Sequence, residues 1–117
     1  MFTKRYHYIF DIDHCHEKNI RNRKLIPKFL RETVTTIGMK ILMGPYIRQG
    51  VPENPGITGI AVLDFSHMSV HTFTKTNEVL IDVFSCKPYE KKMVRDICIK
   101  YFGTPKSKVR EKKVWWG

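Results

Sequence analysis

Nucleophilic and basic side chains are concentrated in two neighbouring stretches of this chain. The first is FSHMSVHTF, Phe65–Phe73, and the second is DVFSC, Asp82–Cys86. A hydroxyl, an imidazole and a thiol can supply a nucleophile, a base and a proton donor, so Ser66, His71 and Cys86 could form a reaction centre. The ordinary alternative is that they are half-buried polar residues of two strands. Their spacing alone leaves both interpretations open.

The parity of a β-strand decides which of these side chains can meet. Because side chains alternate along a strand, one face carries the polar residues His67, Ser69 and His71. The other face carries Met68, Val70 and Thr72 and is expected to face the core. Ser66 and His71 would lie on opposite faces of an uninterrupted strand. A site that uses both therefore requires a turn or distortion at Ser66, and strained backbone there would suit attack by the Ser66 hydroxyl on the Phe65 carbonyl.

Short runs of β-branched and aromatic residues predict strands along most of the chain. The predicted strands are Tyr6–Asp13, Met39–Met43, Ile57–Asp64, Met68–Phe73, Glu78–Phe84 and Lys108–Trp116. Short polar breaks separate the three runs between residues 57 and 84, which indicates adjacent antiparallel pairing. The segment Gly44–Gly56 holds three prolines and three glycines and predicts a long loop without regular structure.

Two amphipathic segments predict helices. In Lys24–Ile37 the apolar residues fall at helical spacing, with Pro27 in the first turn and Gly38 as the stop. A second helix is predicted to begin at Pro88 and to end at Gly103. The order of elements predicts an α+β fold, a two-layer sandwich in which an antiparallel sheet carries two helices on one face.

Composition limits the class of protein. The 117 residues suffice for a single domain with one core, and 42% of them are hydrophobic. The three cysteines form no CxxC pair, and no run could cross a bilayer, so we expect a reducing, cytoplasmic setting without disulfides. The formal charge of +10 would attract nucleic acid, but the basic residues are spread over both halves, and a solvated surface is the preferred interpretation.

Two further clusters carry weaker signals. The segment Asp11–His16 is rich in potential metal ligands, but adjacent strand residues point to opposite faces and no second ligand cluster is evident, so we expect no metal. Trp115 and Trp116 in the basic tail could stack on nucleobases. We expect packing instead, under a helix or at a contact between two copies of the chain.

The block GITGIAVLDFSHMSVHTF followed by IDVFSC resembles the prokaryotic S-adenosylmethionine decarboxylases. The resemblance runs without a gap from Gly56 to Cys86, and it centres on the Ser-His-x-Ser-x-His-Thr motif with its later cysteine. More weakly, FDIDHC resembles the first strand of that family and YIRQG resembles its F-x-P-Q-G loop. Together these segments cover most of residues 6–103.

The resemblance implies a self-cleaving enzyme. The chain would be cut between Phe65 and Ser66, and Ser66 would become a pyruvoyl group at the new N-terminus. His71 would be the base that drives processing, and Cys86 would be the catalytic proton donor. The ketone condenses with a substrate amine and draws electrons as carbon dioxide leaves. A neutral imidazole and a protonated thiol suit these roles near neutral pH.

Two departures from the family pattern concern cleavage and substrate. Phe65 replaces the usual glutamate before the serine, and we expect this change to slow cleavage or to alter its geometry. Lys75 replaces a glutamate that accepts hydrogen bonds from the ribose hydroxyls, whereas an ammonium group only donates. Tyr46, at the position of the loop aromatic, could still stack on an adenine.

The resemblance also implies a substrate class and an assembly. We expect an amino-acid-like small molecule, with S-adenosylmethionine first and arginine or ornithine as alternatives; an unprocessed, inactive homologue is a further alternative. One small sheet cannot enclose such a substrate, so we expect a homodimer of cleaved protomers with sites near the interface.

Overall fold

The computed structural model describes residues 3–115 and contains six strands and three helices in that range. The strands are β1 (Tyr6–Ile12), β2 (Ile41–Val51), β3 (Asn54–Leu63), β4 (Ser66–Phe73), β5 (Glu78–Ser85) and β6 (Val109–Lys113). The helices are α1 (Glu17–Ile20), α2 (Leu25–Thr36) and α3 (Lys91–Phe102). All strand pairs are antiparallel, in the order β2-β3-β4-β5-β1-β6.

The core lies between the helices and one face of the sheet. Strands β4 and β5 alternate buried and partly exposed residues, as half-buried strands do, and their buried members face the helices. Phe29 of α2 and Phe102 of α3 are both fully buried and meet edge to face, with 4.9 Å between ring centroids. The two-layer α+β sandwich is confirmed, with the one-turn helix α1 as an addition that the sequence pattern did not predict.

The predicted loop Gly44–Gly56 is wrong. This segment forms the second part of β2, the turn to β3 and the start of β3, and Val51 pairs with Asn54 where the hairpin closes. Pro45 is tolerated because β2 is an edge strand and its pairing with β3 is interrupted by register shifts. Pro52 lies in the turn, and Pro55 precedes the β3 residues that pair with β4. The many prolines and glycines therefore mark an irregular hairpin at the edge of the sheet rather than a loop.

Two other boundaries differ from the sequence prediction. Helix α3 begins at Lys91 rather than at Pro88, and β6 ends at Lys113. Trp115 is 78% exposed, so it does not pack on its own chain; Trp116 lies outside the described residues. The adjacent pairing predicted for the three central strands is confirmed as β3-β4-β5. None of the described helices has the length and apolar character needed to cross a membrane.

Candidate active site

Ser66 opens strand β4 directly after the turn formed by Asp64 and Phe65. Its φ angle is 142°, a region that L-residues other than glycine rarely occupy, at a cost of about 1–3 kcal/mol. Ser66 nevertheless keeps its place in the ladder, opposite Leu63 of β3 and Ser85 of β5. The distortion that strand parity required at this serine is present.

The carbonyl group of Phe65 is held by Cys86, the first residue after β5. The backbone N–H of Cys86 donates to Phe65 O over 3.0 Å, and Cys86 Sγ lies 3.7 Å from the same oxygen. The thiol is free and exposed. Donors aimed at a carbonyl oxygen stabilise the negative charge that develops there during nucleophilic attack. The structure thus brings Ser66, the carbonyl before it and Cys86 together.

His71 lies elsewhere on the same strand. It follows Ser66 by five residues, which at the rise of a strand is about 16 Å. Its Nδ1 lies 3.0 Å from Thr58 Oγ1 of β3. When Nδ1 carries the ring proton and donates it to Thr58, Nε2 keeps a lone pair and can act as a base. Within one chain, however, His71 does not reach Ser66.

Thr58 is a site residue that sequence reasoning missed. Its hydroxyl orients the His71 ring because the two residues are direct partners across the β3-β4 ladder. The signal existed only in the register of that ladder, which composition and spacing do not fix.

The face of the sheet opposite the described helices carries a polar and aromatic row. The register places His67 opposite Phe84 and Ser69 opposite Asp82, so the polar rows of β4 and β5 do lie side by side. The rings of His67 and Phe84 stack with 5.3 Å between centroids, and Nε2 of His7 donates to Asp82 Oδ1 over 2.7 Å. This open face thus carries imidazole, hydroxyl, carboxylate and aromatic side chains on the strands that begin or end beside Ser66.

A shallow apolar cavity lies on the open face, beside the start of β4. It measures about 130 Å³, and Tyr46, Ile60, Val62, His67 and Ser69 are among its lining residues. Tyr46 is 55% exposed, so its ring is available for stacking. Cavities that bind drug-sized ligands usually measure about 300–1,000 Å³, so this one can form only part of a substrate site.

Lys75 lies in the turn after β4, at the opposite end of that strand from Ser66. Its Nζ donates to the backbone carbonyl of Glu53 over 3.1 Å. Of the two residues predicted to bind substrate, Tyr46 therefore lines the cavity together with His67 and Ser69 of β4, and Lys75 lies beyond the other end of that strand.

The other two cysteines are core residues. Burial raises the pKa of Cys15 to about 12, and the neighbouring carboxylate of Asp13 acts in the same direction. Burial also raises the pKa of Cys98. Asp13 accepts a hydrogen bond from the backbone N–H of Lys108 over 2.7 Å. Within residues 3–115 no cluster of three or more His, Cys, Asp or Glu side chains is placed to hold a metal ion.

The sequence profile of S-adenosylmethionine decarboxylase matches residues 6–113, which is nearly the whole chain. The chain belongs to this family. The family that the motif resembles is therefore confirmed, and the roles of Ser66, His71 and Cys86 stay predictions.

Individual relatives agree with this membership. The chain is 29% identical over 80 residues to an S-adenosylmethionine decarboxylase proenzyme of Methanococcus aeolicus, covering 68% of this chain and 66% of that one. It is 31% identical over 83 residues to a proenzyme of the same name from a Synechococcus species, covering 68% and 60%. The matched region thus spans somewhat less than two thirds of these relatives.

A solved structure shows the same fold. The adenosylmethionine decarboxylase of Aquifex aeolicus superposes with a TM-score of 0.77 at 21% identity, over 97% of this chain and 92% of that one. At this level of identity the comparison supports the S-adenosylmethionine decarboxylase architecture, the two-layer sandwich with its open sheet face.

Proposed function

We propose that this chain is a self-processing, pyruvoyl-dependent decarboxylase that acts on S-adenosylmethionine in polyamine biosynthesis. Residues 1–117 would form one decarboxylase-like domain, cut between Phe65 and Ser66. The observation that carries the proposal is the strained Ser66 at φ 142°, directly after a carbonyl that accepts a hydrogen bond from Cys86. Membership of the family supplies the reaction class.

Cleavage begins as an N-to-O acyl shift. Ser66 Oγ attacks the carbonyl carbon of Phe65, the peptide C–N bond breaks, and the Ser66 nitrogen becomes a free amine that holds the hydroxyl proton. The charge on the carbonyl oxygen during attack is stabilised by the Cys86 N–H, which is already in place at 3.0 Å. Leaving the unfavourable φ of Ser66 contributes to driving the step.

The ester is then opened by elimination. A base removes the α-proton of Ser66, the ester C–O bond breaks, Phe65 leaves as a carboxylate, and position 66 becomes dehydroalanine. Tautomerisation gives an imine, and water replaces its nitrogen, so that ammonia leaves and a pyruvoyl ketone remains. The net change is one water consumed and one ammonia released.

His71 is proposed as the base of this elimination, acting from a second copy of the chain. The distance of about 16 Å along β4 excludes contact with Ser66 of the same chain while the strand is intact. His71 lies on the open face, where the apolar side chains of Ile60 and Val62 are 48% and 42% exposed. Covering this face with a second copy would bury those side chains and could bring the His71 ring of one protomer to Ser66 of the other.

The residues present fit the cofactor that this scheme generates, because the free thiol of Cys86 lies against the carbonyl before Ser66, and the next residues of β4, His67 and Ser69, line a cavity with an exposed aromatic ring. A pyruvoyl group supplies an electron-withdrawing carbonyl during loss of carbon dioxide. Cys86, whose thiol is exposed next to the new N-terminus, would donate the proton that replaces the carboxyl group. Tyr46 would stack on the flat part of the substrate.

Lys75 favours a second candidate substrate class. An ammonium group cannot accept hydrogen bonds from ribose hydroxyls, and its Nζ here is already directed to the backbone carbonyl of Glu53. Arginine or ornithine, which lack a ribose, would not require an acceptor at this position. The order of candidates is S-adenosylmethionine first, arginine or ornithine second.

Mass spectrometry of the purified chain tests self-cleavage. We expect two fragments of similar size from the 13.8 kDa chain, whose summed mass exceeds the intact mass by one water less one ammonia. The downstream fragment should end in a ketone that reacts with hydrazine reagents. Ser66→Ala should remain uncut. An intact wild-type mass after long incubation would support the inactive homologue instead.

Release of carbon dioxide from each of the three candidate substrates tests the activity. The wild-type protein and Lys75→Glu are compared in parallel. If the wild type prefers arginine or ornithine and Lys75→Glu gains turnover of S-adenosylmethionine, Lys75 marks a change of substrate. If the ketone is present and none of the substrates releases carbon dioxide, the assigned substrates are wrong.

A further inference from the structure

The cleavage turn is attached to the end of helix α2. The backbone N–H of Asp64 donates to Lys40 O over 3.0 Å, and the backbone N–H of Lys40 donates to Asp64 Oδ1, also over 3.0 Å. This reciprocal pair fixes the residue before Phe65 to the connection between α2 and β2. It leaves the Phe65 side chain, which is 39% exposed, to be held by another contact.

That contact comes from Lys87. Its Nζ lies 5.2 Å from the centroid of the Phe65 ring and donates to Gly38 O over 2.7 Å. Gly38 has a φ of 76°, the left-handed conformation that ends many helices, and its carbonyl lies at the negative end of α2. The ammonium group is therefore attracted both by a helix terminus and by the face of an aromatic ring.

The backbone of Lys87 is fixed as well. Its N–H donates to Ser85 Oγ over 2.8 Å, and the Ser85 hydroxyl donates back to Lys87 O over 2.9 Å. Ser85 is the partner of Ser66 in the ladder, and Cys86, which lies between Ser85 and Lys87 in the chain, donates its backbone N–H to the carbonyl of Phe65. Lys87 thus belongs to the same short segment that binds the carbonyl of Phe65.

We propose that Lys87 is a positioning residue for self-cleavage, an inference that rests on the proposed function. By holding the Phe65 ring against the end of α2, its ammonium group fixes the peptide of Phe65 so that the carbonyl stays on the Cys86 N–H. The phenyl ring stands where the family pattern has a glutamate. The negative face of the Phe65 ring binds the Lys87 ammonium group at that position, which is how cleavage would tolerate Phe65.

The rate of cleavage in freshly refolded precursor tests this role. Lys87→Met should cleave about three- to tenfold more slowly, the range expected for a partly exposed cation–π contact, and Lys87→Arg should restore most of the rate. Lys100→Met is the matched control, because Lys100 Nζ lies 5.6 Å from the Tyr101 ring centroid on the helical side of the molecule. It should cleave at the wild-type rate.

Phe65→Leu separates positioning from a general effect on folding. It removes the ring but keeps the Lys87–Gly38 hydrogen bond, and it should slow cleavage about as much as Lys87→Met. The double variant should be no slower than either single one. Thermal unfolding of each change in the uncut Ser66→Ala background shows whether all variants are folded at the assay temperature.

The outcomes distinguish this inference from the proposed function. If the wild type is never cut, the proposed function and the role of Lys87 both fail. If the wild type is cut and Lys87→Met is cut equally fast, only the role of Lys87 is wrong. The same holds if Lys87→Met slows cleavage by the same factor in the Phe65→Leu background as in the wild type.

Discussion

Ser66 occupies a backbone conformation that suits glycine, although cleavage chemistry requires a hydroxyl at this position. We therefore expect an unusual order of stability between two inactive variants. Ser66→Ala keeps the Cβ and the strain at φ 142°, whereas Ser66→Gly removes both. Ser66→Gly should be more stable by about 1 kcal/mol, although glycine normally destabilises a strand. Urea unfolding of the two uncut proteins measures the difference, and equal or reversed stabilities would refute it.

The three cysteines should differ sharply in reactivity. A thiolate is the reactive form, and burial raises the pKa of Cys15 to about 12 and also that of Cys98, so both stay protonated at pH 8. A thiol reagent should therefore modify Cys86 alone in native Ser66→Ala protein and all three cysteines after denaturation. Native Cys86→Ser should not react. Labelling of Cys15 or Cys98 in the native state would contradict the burial described here.

For individual residues, the sequence was informative where spacing along one strand decides on which face a side chain lies. Strand parity predicted that a site using both Ser66 and His71 needs a distortion at Ser66, and a distortion is present there. The register that places Cys86 beside the carbonyl of Phe65 was left open. Thr58 and Lys87 could not be predicted in the same way. Their contacts depend on the register of β3 and on where α2 ends, which are properties of the packed sheet rather than of any short segment.

At the scale of elements, two glycines of β3 set how closely its neighbours approach. A Cβ on Gly56 would lie 1.6 Å from the backbone carbonyl oxygen of Thr72, whereas a Cβ on Gly59 would meet only flexible side-chain tips of α2 and β2, the nearest at 2.9 Å. Gly56→Ala should therefore cost about 3 kcal/mol or more and Gly59→Ala about 1–2 kcal/mol. Thermal unfolding in the Ser66→Ala background measures both, and a smaller loss for Gly56→Ala would contradict the close β3-β4 approach.

Besides the one-turn helix α1, sequence reasoning failed to predict the hairpin of β2 and β3. Pro45, Pro52 and Pro55 remove backbone donors, which normally argues against a strand. The edge position of β2 allows the loss at Pro45, because one side of an edge strand has no partner in the sheet. Pro52 lies in the turn, and Pro55 lies at the start of β3, before the residues that pair with β4. Edge positions are visible only once the strand order is known, so the local pattern alone favoured a loop.

At the scale of the whole molecule, processing in trans is the critical prediction. Ser66→Ala retains His71 but cannot be cut, and His71→Ala retains Ser66 but lacks the base. Each protein alone should stay intact. In a mixed dimer the Ser66→Ala chain can supply His71, so co-expression should yield cleavage of the His71→Ala chain only. Differently tagged chains and mass spectrometry identify which one is cut.

Two results would contradict this arrangement. If His71→Ala is cut efficiently on its own, His71 is not the base. If wild-type protein is cut but the mixture is not, His71 acts within its own chain, and β4 must then depart from the extended geometry described here. Sedimentation of wild-type protein as a monomer at micromolar concentration would point to the same conclusion.

The strand order has a consequence for the protein after the cut. The fragment before Ser66 contains β1, β2 and β3, and the fragment after it contains β4, β5 and β6, yet β1 lies between β5 and β6. The two pieces are therefore interleaved along three seams, β3-β4, β5-β1 and β1-β6. Neither piece retains a contiguous sheet of its own three strands. Losing the covalent link would leave the native protein intact, but a denatured one would need two separate molecules to find each other again.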